Sequence, residues 1–165
     1  MAKRALIGKD AGKVDKNLSY LNELSKKEYP KCTVSRSEHF LNLDIVEEAL
    51  KVNQIYKLKS VMKKMHDSNV SQKDFVNSVA AIDIVKVSEG HVRFVSFLLF
   101  RRRAESNDIK DKNLKKHLAN FCLLYGLWQL NEDPRSCYEA GYFVNSKSSE
   151  FVLEAMKMVC RELRP

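Results

Sequence analysis

Glycine and proline are scarce: the 165 residues hold 5 Gly and 3 Pro. So few turn formers argue against a loop-rich all-β fold and against a Pro/Gly-rich disordered chain. Long hydrophobic runs are missing as well. No apolar run reaches the ~18 residues that would suggest a membrane helix. The longest, around Val92 to Phe100, is interrupted by Arg93. The opening stretch, MAKRALIGKDAGKVDK, contains no apolar segment of the kind a secretory signal needs. The last four residues, Glu162-Leu163-Arg164-Pro165, spell no peroxisomal tripeptide address. Cysteine is sparse and scattered, at Cys32, Cys122, Cys137 and Cys160, with no C-x-x-C pair, which leaves no zinc-ribbon spacing. Without a secretion signal these read as reduced thiols, Cys122 and Cys160 acting as small hydrophobes on apolar helical faces. There is no Gly-rich phosphate loop, Walker lysine or dinucleotide fingerprint. His39, His66, His91 and His117 form no H-E-x-x-H or E-x-x-H motif, so no metal site is expected.

What is present is a 44 % hydrophobic chain with a net charge of +8. Its length suits one domain with a sizeable core. The positive charge admits anionic partners, but the lysines are spread along the chain and only Arg101-Arg102-Arg103 is compact.

Periodicity reads as helices. Residues 1–33 are expected to be an extended lead-in with a small apolar island at Leu18 to Leu24, stopped by Tyr29-Pro30. Ser35 with Glu38 makes a capping-box pattern ahead of a helix carrying Leu41, Ile45, Val52, Ile55, Val61, Met62 and Met65. Early acids and late lysines on that helix complement its dipole. Ser71 with Asp74 marks the next start, and from Phe75 to about Arg103 one long, heavily buried helix is expected. A strand is ruled out by its length and by failed alternation. Asp111 or Asn113 caps a third helix with Leu114, Leu118, Phe121, Cys122, Tyr125 and Trp128 on one face, read as a core stripe. A short helix from Pro134 to Ala140 ends at Gly141. Asn145 or Ser146 opens the last helix, with Phe151, Val152, Ala155, Met156, Val159, Cys160 and Leu163 apolar. The fold class is therefore all-α, an antiparallel bundle of four main helices over residues 34–165.

Few side chains point to chemistry. Gly90 in mid-helix costs roughly 1 kcal/mol against Ala, so Gly90 and His91 are expected to mark a packing site at a close helix crossing. His91 and Glu89 are two apart and do not face each other. Phe121 to Leu130 contains no Lys or Arg, so base stacking and nucleic-acid binding are not expected. Tyr138, Tyr142 and Phe143 follow a turn and are candidates for a bundle end or an interface.

Four stretches, taken in order, resemble the C-terminal part of the peroxisomal acyl-CoA oxidases. They are Leu18-Ser-Tyr-Leu-Asn-Glu-Leu24, Asn77-Ser-Val-Ala-Ala-Ile-Asp-Ile-Val-Lys-Val-Ser-Glu-Gly-His91, Phe121-Cys-Leu-Leu-Tyr-Gly-Leu-Trp128 and Tyr138-Glu-Ala-Gly-Tyr-Phe143. The last is similar to the branched-chain, or pristanoyl, type. The resemblance spans about residues 18–164. It implies a helical domain of an FAD enzyme that oxidises acyl-CoA to trans-2-enoyl-CoA and passes electrons to oxygen, forming hydrogen peroxide. It also implies a homodimer, a peroxisomal location, and docking to the remaining oxidase domains through an exposed apolar face. The family's general-base glutamate lies upstream of the Ser-Tyr-Leu-Asn stretch, so neither Glu23 nor Glu28 inherits that role. No catalytic residue and no FAD contact is assigned here, and the chain alone is expected to be inactive and without cofactor. The family's Trp-Asn pair reads Val76-Asn77. Tyr138 to Phe143, Tyr142 above all, would lie near the parent enzyme's acyl chain or partner subunit. The alternative is a non-enzymatic helical module whose partner site includes Arg101 to Arg103.

Overall fold

Residues 16–164 are described by a computed structural model, and no strand occurs among them. Asn42 sets the first long helix, α1 (Leu43–Asp67), because its Oδ1 accepts the Asp44 N–H at 2.8 Å. The Ser35–Glu38 pattern does not open that helix. It precedes a separate 3₁₀ turn, Ser37–Leu41, which ends at Asn42 and buries Phe40. Ser71 caps a one-turn helix, α2 (Gln72–Asp74), by accepting from Asp74 N. A π-helical turn, Phe75–Val79, follows and breaks at Ala80, so the long helix α3 begins later than its apolar pattern does, at Ala81–Ala104. Asp111 Oδ1 accepts from both Asn113 N and Leu114 N to start α4 (Lys112–Glu132). Short α5 (Arg135–Glu139) and long α6 (Lys147–Glu162) complete the chain.

The end of α5 shows why Gly141 is needed. The Gly141 N–H bonds Tyr138 O at 2.9 Å and the Tyr142 N–H reaches back to Cys137 O at 3.0 Å. That double bond pattern requires a left-handed residue between them, and Gly141 has φ +71°.

Cross-links between helices give their directions. Arg101 meets Asp44 and Glu47, Gln54 meets Val87, and Lys64 meets Asp83, so α1 and α3 run antiparallel. Gln129 reaches Arg93 O and Cys122 reaches Phe97 O, so α4 reverses again. Lys116 pairs with Glu162, setting α6 against α4. Val46, Ala49, Leu50, Phe94, Phe97, Cys122, Leu123, Leu127, Leu130, Val152, Ala155 and Val159 fill the shared core.

The lead-in is wound rather than extended at Lys16–Ser25, a 3₁₀ helix whose Tyr20 is buried in the same core. Tyr20 stacks edge-on against Phe94, and its hydroxyl lies 2.5 Å from His91 Nδ1. The expected buried row on α1 also shifts: Val46, Ala49, Leu50, Val52, Asn53, Gln54 and Ile55 are buried, while the helix beyond Lys63 is exposed and Met65 with it.

Candidate functional site

Helix α4 is apolar on both sides. Its inner side presents Cys122, Leu123, Gly126, Leu127 and Leu130, all buried. Leu114, Phe121 and Trp128 recur at seven-residue intervals on the other side, in line over successive double turns. They are exposed, Phe121 at 50 %. The sequence reading of Leu114, Phe121 and Trp128 as core is therefore corrected, since the smaller residues next to them face inward, while Tyr125 is half-buried against the core. Helix α3 repeats the arrangement. Phe94, Phe97 and Ala104 are buried, while Val85, Val92 and Leu99, again seven apart, are exposed, Val92 at 62 %.

These two rows adjoin. The Arg93 guanidinium of α3 sits over the Trp128 ring of α4, 5.1 Å from its centroid, and pairs with Glu89 at 2.5 Å. Tyr125 stacks on Trp128 at 6.2 Å. The result is an apolar face spanning two antiparallel helices, bridged by one paired charge. Exposed apolar side chains grouped in this way mark an interaction surface.

Gly90 lies where α3 meets α1. A Cβ there would overlap Gln54 Oε1. Gln54 Nε2 donates to Val87 O at 2.9 Å, while its buried Oε1 finds no donor among the described residues. His91, half-buried, holds Tyr20 as above. Gln54 and Asn53 escaped sequence reading, because two adjacent amides in a helix look like solvent-facing residues. Asn53 Nδ2 donates to Asp133 O at 2.6 Å, tying α1 to the end of α4.

Tyr142 and Phe143 meet inside the domain rather than on its surface. Tyr142 donates to Glu48 Oε1 at 3.0 Å, and Phe143 packs edge-on to Phe40 and Tyr138. Burial raises the Tyr142 phenol well above its ordinary value, and the nearby Cys32 and Glu48 add to it. Tyr138 is half-buried, its hydroxyl 2.8 Å from Ser149 Oγ.

Arg101 is not available to a partner. It bonds Asp44, Glu47 and Glu105 at 2.5, 2.8 and 2.9 Å and is 19 % exposed. Burial by itself would lower its pKa, but the hydrogen bonds it donates to Asp44 and Glu105, with the charges of Glu105 and Glu47, outweigh that and raise it. Arg103 does point outward, beside Asp108 at 3.5 Å. Cys160 is exposed, against the apolar-face reading; Cys122 and Cys137 are buried, and burial pushes each thiol up to about 12.

A flavin finds no fit among the described residues. The 310 Å³ recess beside Gly90 is lined by charges that largely pair with each other, such as Lys57 with Asp133. The 490 Å³ groove beside Arg101 is strongly charged. Gly90 and Gly126 lie in mid-helix and Gly141 in a turn, so none opens a helix to cradle a pyrophosphate. Among these residues no three His, Cys, Asp or Glu side chains gather to hold a metal ion, and no helix is long and apolar enough to cross a membrane.

Fold and face together define an all-helical domain with an apolar side that the described residues leave uncovered. The model of the acyl-CoA oxidase family matches residues 42–165, and the chain belongs to that family. Peroxisomal acyl-coenzyme A oxidase 1 of Rattus norvegicus is 23 % identical over 150 residues, which are 86 % of this chain and 22 % of the rat protein. An acyl-CoA oxidase from tomato (Lycopersicon esculentum) superposes with a TM-score of 0.86 at 20 % identity, covering 99 % of this chain and 24 % of that one. Acyl-CoA oxidase-1 of Caenorhabditis elegans, solved in complex with FAD and ATP, gives 0.78 at 17 % identity, with 99 % and 24 % covered. The chain thus spans under a quarter of the length of these relatives.

Proposed function

We propose that this chain works as the C-terminal helical domain of an FAD-dependent peroxisomal acyl-CoA oxidase, converting acyl-CoA and oxygen to trans-2-enoyl-CoA and hydrogen peroxide, the first step of peroxisomal fatty acid β-oxidation. The domain's part is structural. It supports the neighbouring domains and the homodimer, and it is inactive alone. The observation that carries this reading is the pairing of a family match over residues 42–165 with an apolar face on α3 and α4 that none of the described residues covers. Its relatives are about four times longer, so a covering surface is available in the parent enzyme. The rat relative's peroxisomal name supports the peroxisomal location.

The test is to capture the native protein from its source with an antibody to residues 34–164. The expected product is a flavin-containing particle far larger than 19.1 kDa that releases hydrogen peroxide with an acyl-CoA substrate. A colourless 19.1 kDa polypeptide with no oxidase partner would overturn the proposal.

A further inference from the structure

The α3–α4 face is not uniform along its length, and its two ends differ in charge. Arg103 stands one turn beyond Leu99 on the same side of α3. The link to α4 and its first turns add Lys110, Lys112 and Lys115 close to Leu114 in sequence, while Lys116 turns to Glu162 of α6. Residues 101–117 hold seven basic side chains against three acids, Glu105, Asp108 and Asp111. Arg101 is consumed by α1, but Arg103, 63 % exposed, meets the still more open Asp108. At the other end, Glu132 and Asp133 stand among Lys57 and Lys86, so charge is balanced there.

The apolar rows set the shape of the occupant. Val85, Val92 and Leu99 rise in steps of seven beside Leu114, Phe121 and Trp128, also in steps of seven. Seven-residue rows on two neighbouring helices leave a straight seam that a third helix with the same repeat fills. We propose that the face receives one amphipathic helix of the oxidase polypeptide outside these 165 residues, with apolar residues seven apart and acidic residues at the end that meets Arg103, Lys110 and Lys112. This rests on the domain reading above and goes further, by specifying the partner's chemistry and its direction along the seam. Charge complementarity argues against a second copy of the chain as occupant, because the same strongly basic segment would bring no acidic end to this one.

Trp128 is the single tryptophan and stands in the seam, so its emission reports occupancy directly. The purified 165-residue chain is titrated with two synthetic 21-residue helical peptides. Both carry Leu every seven residues; one ends in three Glu and the other in three Lys. The expected result is a blue shift of Trp128 emission with the acidic peptide and at least tenfold weaker binding of the lysine peptide. Phe121→Ser and Arg103→Glu, both at exposed positions, should each weaken the acidic peptide at least tenfold while circular dichroism is unchanged. Raising salt should weaken it too. Equal binding of the two peptides, or none, overturns the proposal. So does a chain dimer by sedimentation with Trp128 already buried, or a Trp128 shift with phosphatidylserine vesicles alone. Failure here leaves a captured oxidase particle unaffected, and an absent particle leaves the peptide result standing, so the two readings fail separately.

Discussion

Gly126 sits where three helices meet. A methyl group there would stand 2.5 Å from Val46 Cγ1 of α1 and 2.7 Å from Phe97 Cε2 of α3. Neither neighbour is a free side-chain tip, since Val46 and Phe97 are fully buried. Gly126→Ala is therefore expected to lose about 1–3 kcal/mol through overpacking. Gly90→Ala meets the end of Gln54 instead. That amide can swing away at the cost of its bond to Val87, about 0.5–1.5 kcal/mol, and mid-helix Ala returns about 1 kcal/mol of propensity. Urea unfolding should therefore rank Gly126→Ala as much the worse of the two, and the opposite order would contradict these packing assignments. The sequence singled out both glycines, but it could not show which would clash with a rigid neighbour, because the clash depends on residues 29 to 80 positions away. Thiol chemistry separates residues in the same way. At pH 8 a disulfide reagent should label Cys160 quickly and Cys32 more slowly. Cys122 and Cys137 should wait for unfolding, because burial both blocks access and removes the thiolate. Rapid labelling of all four would be inconsistent with the core described.

Helix starts were legible and helix faces were not. Ser71, Asp111 and Ser146 carry local signals that need only a turn of chain to act, and each lies at the helix start it suggested. The Ser35 pattern failed because Asn42, seven residues on, makes the cap that is used. Faces are set by what lies opposite. Helix α4 has two apolar rows, and the bulkier one drew the sequence reading although Gly126 lets the other approach α1 and α3. Arg101 was read as part of a basic surface, but its three carboxylate partners come from two helices and include residues 54 and 57 positions away. It ties the start of α1 to the end of α3. Arg101→Ala should cost about 1–3 kcal/mol, as loss of charge-assisted bonds at a mostly covered site does. Arg103→Ala should stay within about 0.5 kcal/mol. Chemical denaturation of the two variants checks this, and equal costs would mean that the Arg101 network adds nothing.

At the scale of the molecule, the all-helical class and the antiparallel order follow from length, few turn formers and polar connections, all visible in the chain. The uncovered face was expected from the family resemblance, yet its location was missed, because the aromatic residues that form it look like core when the helix is viewed alone. This chain accounts for under a quarter of its relatives' length, so the proposed reading gives the face its meaning through surfaces those relatives have in addition. The most direct measurement is hydroxyl-radical footprinting of the isolated chain beside the natively captured protein. Phe121 and Trp128 should oxidise readily in the isolated chain and be protected severalfold in the native protein, while exposed Leu153 on α6 serves as the reference. Equal oxidation of Phe121 and Trp128 in both samples would mean that the face stays open in the working protein, and the docked-domain account would be wrong.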